Sequence, residues 1–138
     1  MKPDRPGDRA SAMVGSAMPK ILVVEDEMLI LLDVADTFRE HGFEVLEARD
    51  GTQALAILES EPAVAAVFTD VTLPGQVDGF AIARWVRQYR AGVPVILTSG
   101  EVTDAHAAAI GRHEPFFAKP CDYAAVAAYI RKQLTASA

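Results

Sequence analysis

The sequence predicts an α/β protein: a doubly wound, five-stranded parallel sheet with helices on both faces. Three observations predict it. Short apolar runs recur, such as Lys20-Ile21-Leu22-Val23-Val24 and Ala63 to Phe68, and runs of that length and composition read as strands buried on both faces. Segments of helical period separate them, and strands joined by helical connections form parallel sheets with right-handed crossovers. Several runs also end abruptly in polar residues. In open α/β sheets that strand-end edge is where ligands bind.

In chain order, Lys20 to Val24 is the first strand, closed by Glu25-Asp26-Glu27. A periodic segment from Met28 to His41 is the first helix, and Gly42 stops it as a C-cap would. Phe43 to Ala48 alternates weakly as a second strand, and Asp50-Gly51 marks a turn. Ala54, Leu55 and Leu58 lie at helical spacing up to Ser60, and Pro62 ends that helix. The third strand, Ala63 to Phe68, runs out into Thr69-Asp70, and Pro74-Gly75 turns the chain beyond it. Asp78 is placed to cap a helix from Gly79 to Arg90 whose Ile82, Ala83 and Val86 face inward. Val93 to Thr98 is the fourth strand, Thr103 to Arg112 an Ala-rich helix, and Pro115 to Ala118 a short fifth strand. Asp122 caps the last helix, in which Val126, Ile130 and Leu134 form a stripe and Arg131 and Lys132 sit near the C-terminal end.

The bulk numbers fit one domain. The chain has 138 residues, 51% of them apolar, enough for a core and too many for a disordered chain. A formal charge of −6 argues against direct DNA binding. The single cysteine, Cys121, excludes an internal disulfide, reads as inert and fits a cytoplasmic location. No apolar run approaches the roughly 20 residues that cross a membrane. Residues 1–18 lack the apolar centre of a secretion signal and read as a disordered tail. The expected organisation is therefore a tail over 1–18, one domain over 19–135 and a short C-terminal tail over 136–138.

Parallel strands bring four polar strand ends to one edge: Glu25 and Asp26, Asp70, Thr98 and Ser99, and Lys119-Pro120. Like charges about 4 Å apart repel by on the order of 4 kcal/mol at an effective dielectric near 20. Three acids therefore require a cation or protons. An all-oxygen site with open water positions suits Mg²⁺, and Lys119 adds a fixed cation. Metal and lysine together would keep Asp70 ionised and neutralise an incoming phosphoryl group. A carboxylate is a competent nucleophile toward phosphorus.

These residues resemble the receiver domain of two-component response regulators, from about Pro19 to Leu134. The resemblance rests on Val23-Val24-Glu25-Asp26-Glu27, Thr69-Asp70-Val71-Thr72-Leu73-Pro74-Gly75, Asp78-Gly79, Ile96-Leu97-Thr98-Ser99-Gly100 and Phe117-Ala118-Lys119-Pro120, in order and at the usual spacing. It implies a flavodoxin-like fold with Asp70 as phospho-acceptor. Asp26 would be the direct Mg²⁺ ligand, Glu25 the ligand through water, and the Thr72 backbone carbonyl a further ligand. Thr98 would turn to the phosphoryl group, Lys119 would pair with it, the Lys119-Pro120 bond would be cis, and Phe116 would be the switch aromatic. The donor would be a histidine kinase or histidine phosphotransfer protein. The face of the fourth helix, fifth strand and fifth helix would change shape for a partner or a phosphorelay. Two departures stand out: Glu25 replaces the more usual first aspartate, and Phe116 carries no hydroxyl.

The implied activity is a stand-alone switch that promotes its own phosphorylation and dephosphorylation, not a turnover enzyme. A phosphorylation-independent binding module of the same shape is the alternative. A phosphatase with an aspartyl-phosphate intermediate is disfavoured, because Thr72 stands where such enzymes need a second acid. A weak homodimer stays open. Other residues have plainer readings. Ser99 reads as a strand-end residue, His41, His106 and His113 as surface residues, and Phe116 equally as core. Trp85 falls opposite Ile82 and Val86 and is expected to be partly exposed. Leu29-Ile30-Leu31-Leu32 is apolar around a whole helical turn, so part of it must face outward beside the acids, where a kinase helix could dock.

Overall fold

A computed structural model of the chain describes residues 18–100 and 114–137. Five strands form one parallel sheet: β1 (Lys20–Val24), β2 (Glu44–Ala48), β3 (Val64–Asp70), β4 (Val95–Ser99) and β5 (Phe116–Ala118), in the order β2-β1-β3-β4-β5. Four helices are described: α1 (Met28–Glu40), α2 (Gly51–Ser60), α3 (Gly79–Tyr89) and α4 (Tyr123–Ser137). The expected helix over Thr103 to Arg112, with His106 and His113, lies outside the described residues, as does the expected tail except for Met18.

The sheet has a core on each face. On one, Leu31, Val34, Ala35 and Phe38 of α1 and Val126, Ala127 and Ile130 of α4 pack on Ile21, Val23, Ala66, Phe68 and Ile96. On the other, Ala54 and Leu58 of α2 and Ile82, Ala83 and Val86 of α3 pack on Leu22, Val24, Val67 and Leu97. Adjacent residues of β1 and β3 thus alternate between the two cores, which is why both strands read as unbroken apolar runs.

Helix starts follow the local chemistry. Asp50 caps α2 by accepting from the Gln53 N–H at 2.8 Å, while the Gln53 side chain accepts from the N–H of Arg49, the residue before the cap, at 2.7 Å. Asp78 caps α3 through the Ala81 N–H at 2.8 Å, and Asp122 accepts from Ala124 N–H at 3.0 Å ahead of the last helix. Gly42 takes a φ of 89° just beyond α1, the left-handed conformation that ends helices. The last helix runs to Ser137. Residues 136 and 137 therefore continue it where a tail was expected, since Thr135 and Ala136 carry no stop signal and the Thr135 hydroxyl donates back to Arg131 O at 2.9 Å.

Candidate functional site

The strand order reverses between β1 and β3, the switch point of a doubly wound sheet, and the polar groups gather just there. Asp70 is the last residue of β3, two positions beyond the apolar run that ends at Phe68, because the Val71 N–H donates to Thr98 O at 2.8 Å and keeps the chain in register to the rim. Glu25 follows β1 directly, its N–H donating to Ala48 O at 3.0 Å. Lys119 follows β5, its N–H donating to Ser99 O at 3.0 Å. The peptide bond between Lys119 and Pro120 is cis.

The side chains of Glu25, Asp26 and Asp70 offer carboxylate oxygens that all lie within 4.8 Å of one another. The Lys119 ammonium donates to Glu25 Oε1 at 2.8 Å and to Asp70 Oδ2 at 2.9 Å. Burial raises the Glu25 carboxyl above its usual range, against the opposing hydrogen bonds from Lys119 and the Glu27 N–H. Burial also works against the Lys119 charge, but the two carboxylates outweigh it and hold the ammonium well above its ordinary value. The ammonium is thus the local counter-charge for two nearly buried acids, while the Asp26 residue stays exposed at the mouth. A hollow of about 310 Å³ opens here, lined in part by Asp26, Asp70, Thr72 and Lys119.

The other expected site residues fall around this centre. Thr72 is exposed on the lining. Thr98 pairs with Asp70 across the sheet, but its hydroxyl donates to Phe117 O at 2.7 Å, toward β5. Phe116 is half-buried against the core formed with α2 and α3. Phe117 points to the opposite face, edge-on to Tyr129 with centroids 5.6 Å apart.

Some contributors carried no clear sequence signal. Ser99 lines the hollow although it reads as an ordinary strand-end residue. Arg49 crosses from the end of β2 and donates to Asp26 O at 3.2 Å. Glu25 Oε2 accepts from the Glu27 N–H at 3.0 Å, so the acid also serves the start of α1. Gly79 was legible as the start of a helix capped by Asp78 and as part of the receiver-like pattern, but not as a point of close approach. A Cβ there would sit 2.4 Å from Asp70 O and 2.8 Å from Val71 Cα, so only glycine lets α3 approach the backbone of Asp70.

Comparison with known proteins agrees with this arrangement. The chain is 34% identical over 122 residues to the transcriptional regulatory protein TcrA of Mycobacterium tuberculosis, covering 87% of this chain and 47% of the relative. It is 37% identical over 82 residues to the aerobic respiration control protein ArcA of Escherichia coli, covering 59% of this chain and 33% of the relative. The chain therefore spans less than half the length of these curated relatives. Among solved structures, a response regulator receiver protein from Sinorhizobium medicae superposes with a TM-score of 0.80 at 27% identity, over 88% of this chain and 98% of that one. The receiver domain of the hybrid histidine kinase CckA superposes at 0.69 with 34% identity, over 83% and 98%. Residues 21–131 match the response regulator receiver domain family, and the chain belongs to that family.

Proposed function

We propose that the chain is a phospho-accepting signalling switch in which Asp70 receives a phosphoryl group from a phosphohistidine donor. The observation that carries this reading is the clustering of one ammonium and three carboxylates at the sheet's switch point. The donor set also fits a divalent cation. It is all oxygen, closely spaced and open on one side, as Mg²⁺ prefers. Asp26, Asp70 and the Thr72 carbonyl would hold the ion, with Glu25 reaching it through water. When bound, it would neutralise charge on the transferring phosphoryl group.

The chain's own residues do the rest. An Asp70 carboxylate oxygen attacks phosphorus as the donor's P–N bond breaks, and the bonding electron pair leaves with the imidazole. The product is an acyl phosphate on Asp70, which water later hydrolyses. Lys119 exchanges its bond to Asp70 for one to the phosphoryl oxygens. Thr98 must release Phe117 O before its hydroxyl can turn inward, a loss of about 1 kcal/mol to be recovered at the phosphoryl group. Phe116 follows into the vacated space, and the face of β5, the last helix and the segment before β5 is read by a partner.

The donor's docking surface is the start of α1. Leu29 is 82% exposed, and Met28 and Leu32 are each 44% exposed, on the helix that begins beside the acids. Such a cluster suits the apolar stripe of a partner helix. The proposed setting is the cytoplasm; no helix among the described residues is long and apolar enough to cross a membrane.

Incubation with acetyl phosphate and Mg²⁺ is expected to add one phosphate, read by intact mass. Asp70→Asn should take none. Leu29→Ala should slow transfer from a kinase while leaving acetyl phosphate unaffected. A wild-type chain that stays unmodified at saturating donor and metal would sink the reading in favour of a phosphorylation-independent binding module.

A further inference from the structure

A second feature lies at the opposite end of the fold. α2 and α3 both end there, and Lys20, the first residue of β1, pairs with Glu61 just beyond α2 at 3.0 Å. Between the two helix ends opens a groove of about 510 Å³, lined by Leu58, Glu59, Pro62, Trp85, Tyr89 and Arg90. That volume falls within the range of about 300–1,000 Å³ that ligand sites occupy.

Its chemistry selects a cation. Trp85 and Tyr89 stand one turn apart on α3 with ring centroids 5.1 Å apart and planes tilted by 44°. Trp85 is half-buried, while Tyr89 is 60% exposed, a large aromatic surface left to water. Two helix C-termini bring their partial negative charge to this end. Arg90 already answers part of it, donating to the carbonyl oxygens of Leu58 at 2.9 Å and Pro62 at 2.7 Å. Glu61 is answered by Lys20. Glu59 is exposed and has no ion-pair or hydrogen-bond partner among the described residues. The groove therefore sets an aromatic pair beside the unpaired Glu59 carboxylate, with the Arg90 guanidinium on the same lining held against backbone carbonyls.

We propose that this groove receives an arginine side chain from a basic segment of a partner protein, its guanidinium lying on the Trp85–Tyr89 pair and ion-paired with Glu59. Arginine fits better than lysine because its planar group both stacks on aromatic rings and matches a carboxylate. The surface is separate from the acidic hollow and does not depend on the chemistry of Asp70.

The test uses Trp85, the chain's single tryptophan. The 138-residue chain is titrated with the peptide acetyl-Gly-Arg-Ala-Arg-Gly-amide and with its citrulline counterpart, which keeps the shape and removes the charge. The arginine peptide should change Trp85 fluorescence saturably. The citrulline peptide, and the arginine peptide with Glu59→Gln, should bind roughly tenfold more weakly. Asp70→Asn should leave the titration unchanged. Equal responses to both peptides, or no saturable response, would overturn the proposal. So would a signal abolished by Asp70→Asn, which would place the peptide on the acidic hollow. Self-association abolished by Glu59→Gln would assign the groove to a second copy and equally defeat it.

Discussion

Replacing Lys119 by Met removes the ammonium that faces Glu25 and Asp70 and keeps most of the side-chain volume. At the 4.8 Å limit of the acid cluster, two carboxylates at an effective dielectric near 20 repel by about 3.5 kcal/mol. Protonating Glu25 offers an escape. From an ordinary value of 4.5, a proton taken up at pH 7 costs about 3.4 kcal/mol, a similar ceiling. The hollow is open to water, which lowers both figures, so the expected loss at pH 7 is about 2–3 kcal/mol. Its pH dependence has a definite sign. Lys119 is raised above 10.5 in the folded protein, so its contribution is in place at neutral pH and is lost only as pH rises through that higher value. Without it, Glu25 dominates. Its carboxyl is raised by burial, so stability is greatest below the unfolded value of 4.5 and falls as pH rises through the folded one. At pH 5 the same proton costs only about 0.7 kcal/mol, and the deficit should shrink to below about 1 kcal/mol. Urea unfolding followed by circular dichroism at pH 5 and pH 7 measures this directly. Added Mg²⁺ should raise the variant's midpoint more than the wild type's, since no ammonium competes for the acids. A deficit under about 0.5 kcal/mol at pH 7, or one equal at both pH values, would refute the view that Lys119 is the site's resident counter-charge.

Other outcomes follow from the same geometry. Gly79→Ala places a Cβ 2.4 Å from Asp70 O, so α3 must shift; unfolding should show a loss of about 1–3 kcal/mol and acetyl phosphate should modify Asp70 about tenfold more slowly. Unchanged kinetics would mean that α3 does not position Asp70. Thr98→Val removes the hydroxyl bond to the Phe117 carbonyl, which keeps its place in the β4–β5 ladder, and should cost about 1 kcal/mol in urea unfolding. Burial pushes the Cys121 thiol up. Iodoacetamide should therefore alkylate it more slowly than a free thiol at pH 8, with a rate still climbing above pH 9, and a plateau below pH 8 would contradict the burial.

What was legible in the sequence followed from burial on two faces. β1, β3 and β4 sit between two cores, so each reads as an unbroken apolar run with a polar end. The parallel alignment of β1, β3 and β5 is what places Glu25, Asp70 and Lys119 on one rim. The expected facing of Ile82, Ala83 and Val86 inward and of Trp85 to the margin matches the structure, as does the expectation that part of Leu29-Ile30-Leu31-Leu32 faces outward, which proves to be Leu29 and Leu32. Strand bounds were less legible. β3 extends through Thr69 and Asp70 because ladder hydrogen bonds from β4 hold them, and no local propensity announces a ladder partner far along the chain. The Arg49 contact to Asp26 and the present direction of the Thr98 hydroxyl are likewise set by distant backbone carbonyls.

Glu25 shows how a small departure in sequence becomes structural. Its two oxygens divide their work: Oε1 accepts from Lys119 at 2.8 Å and Oε2 from the Glu27 N–H at 3.0 Å. One carboxylate therefore ties the end of β5 to the start of α1, the helix that carries the exposed Leu29. An aspartate at this position is shorter by one bond of about 1.5 Å, a large fraction of a hydrogen bond's length. It keeps the charge but cannot hold both partners without moving the backbone. Glu25→Asp should therefore lower stability by about 1 kcal/mol, the net value of one such bond, while still accepting phosphate from acetyl phosphate. A double-mutant cycle with Lys119→Met isolates the pair: the coupling between positions 25 and 119 should largely vanish in the aspartate background if the shorter arm gives up the lysine. Full coupling retained there would show that the backbone adapts and that the extra methylene does not create the tie.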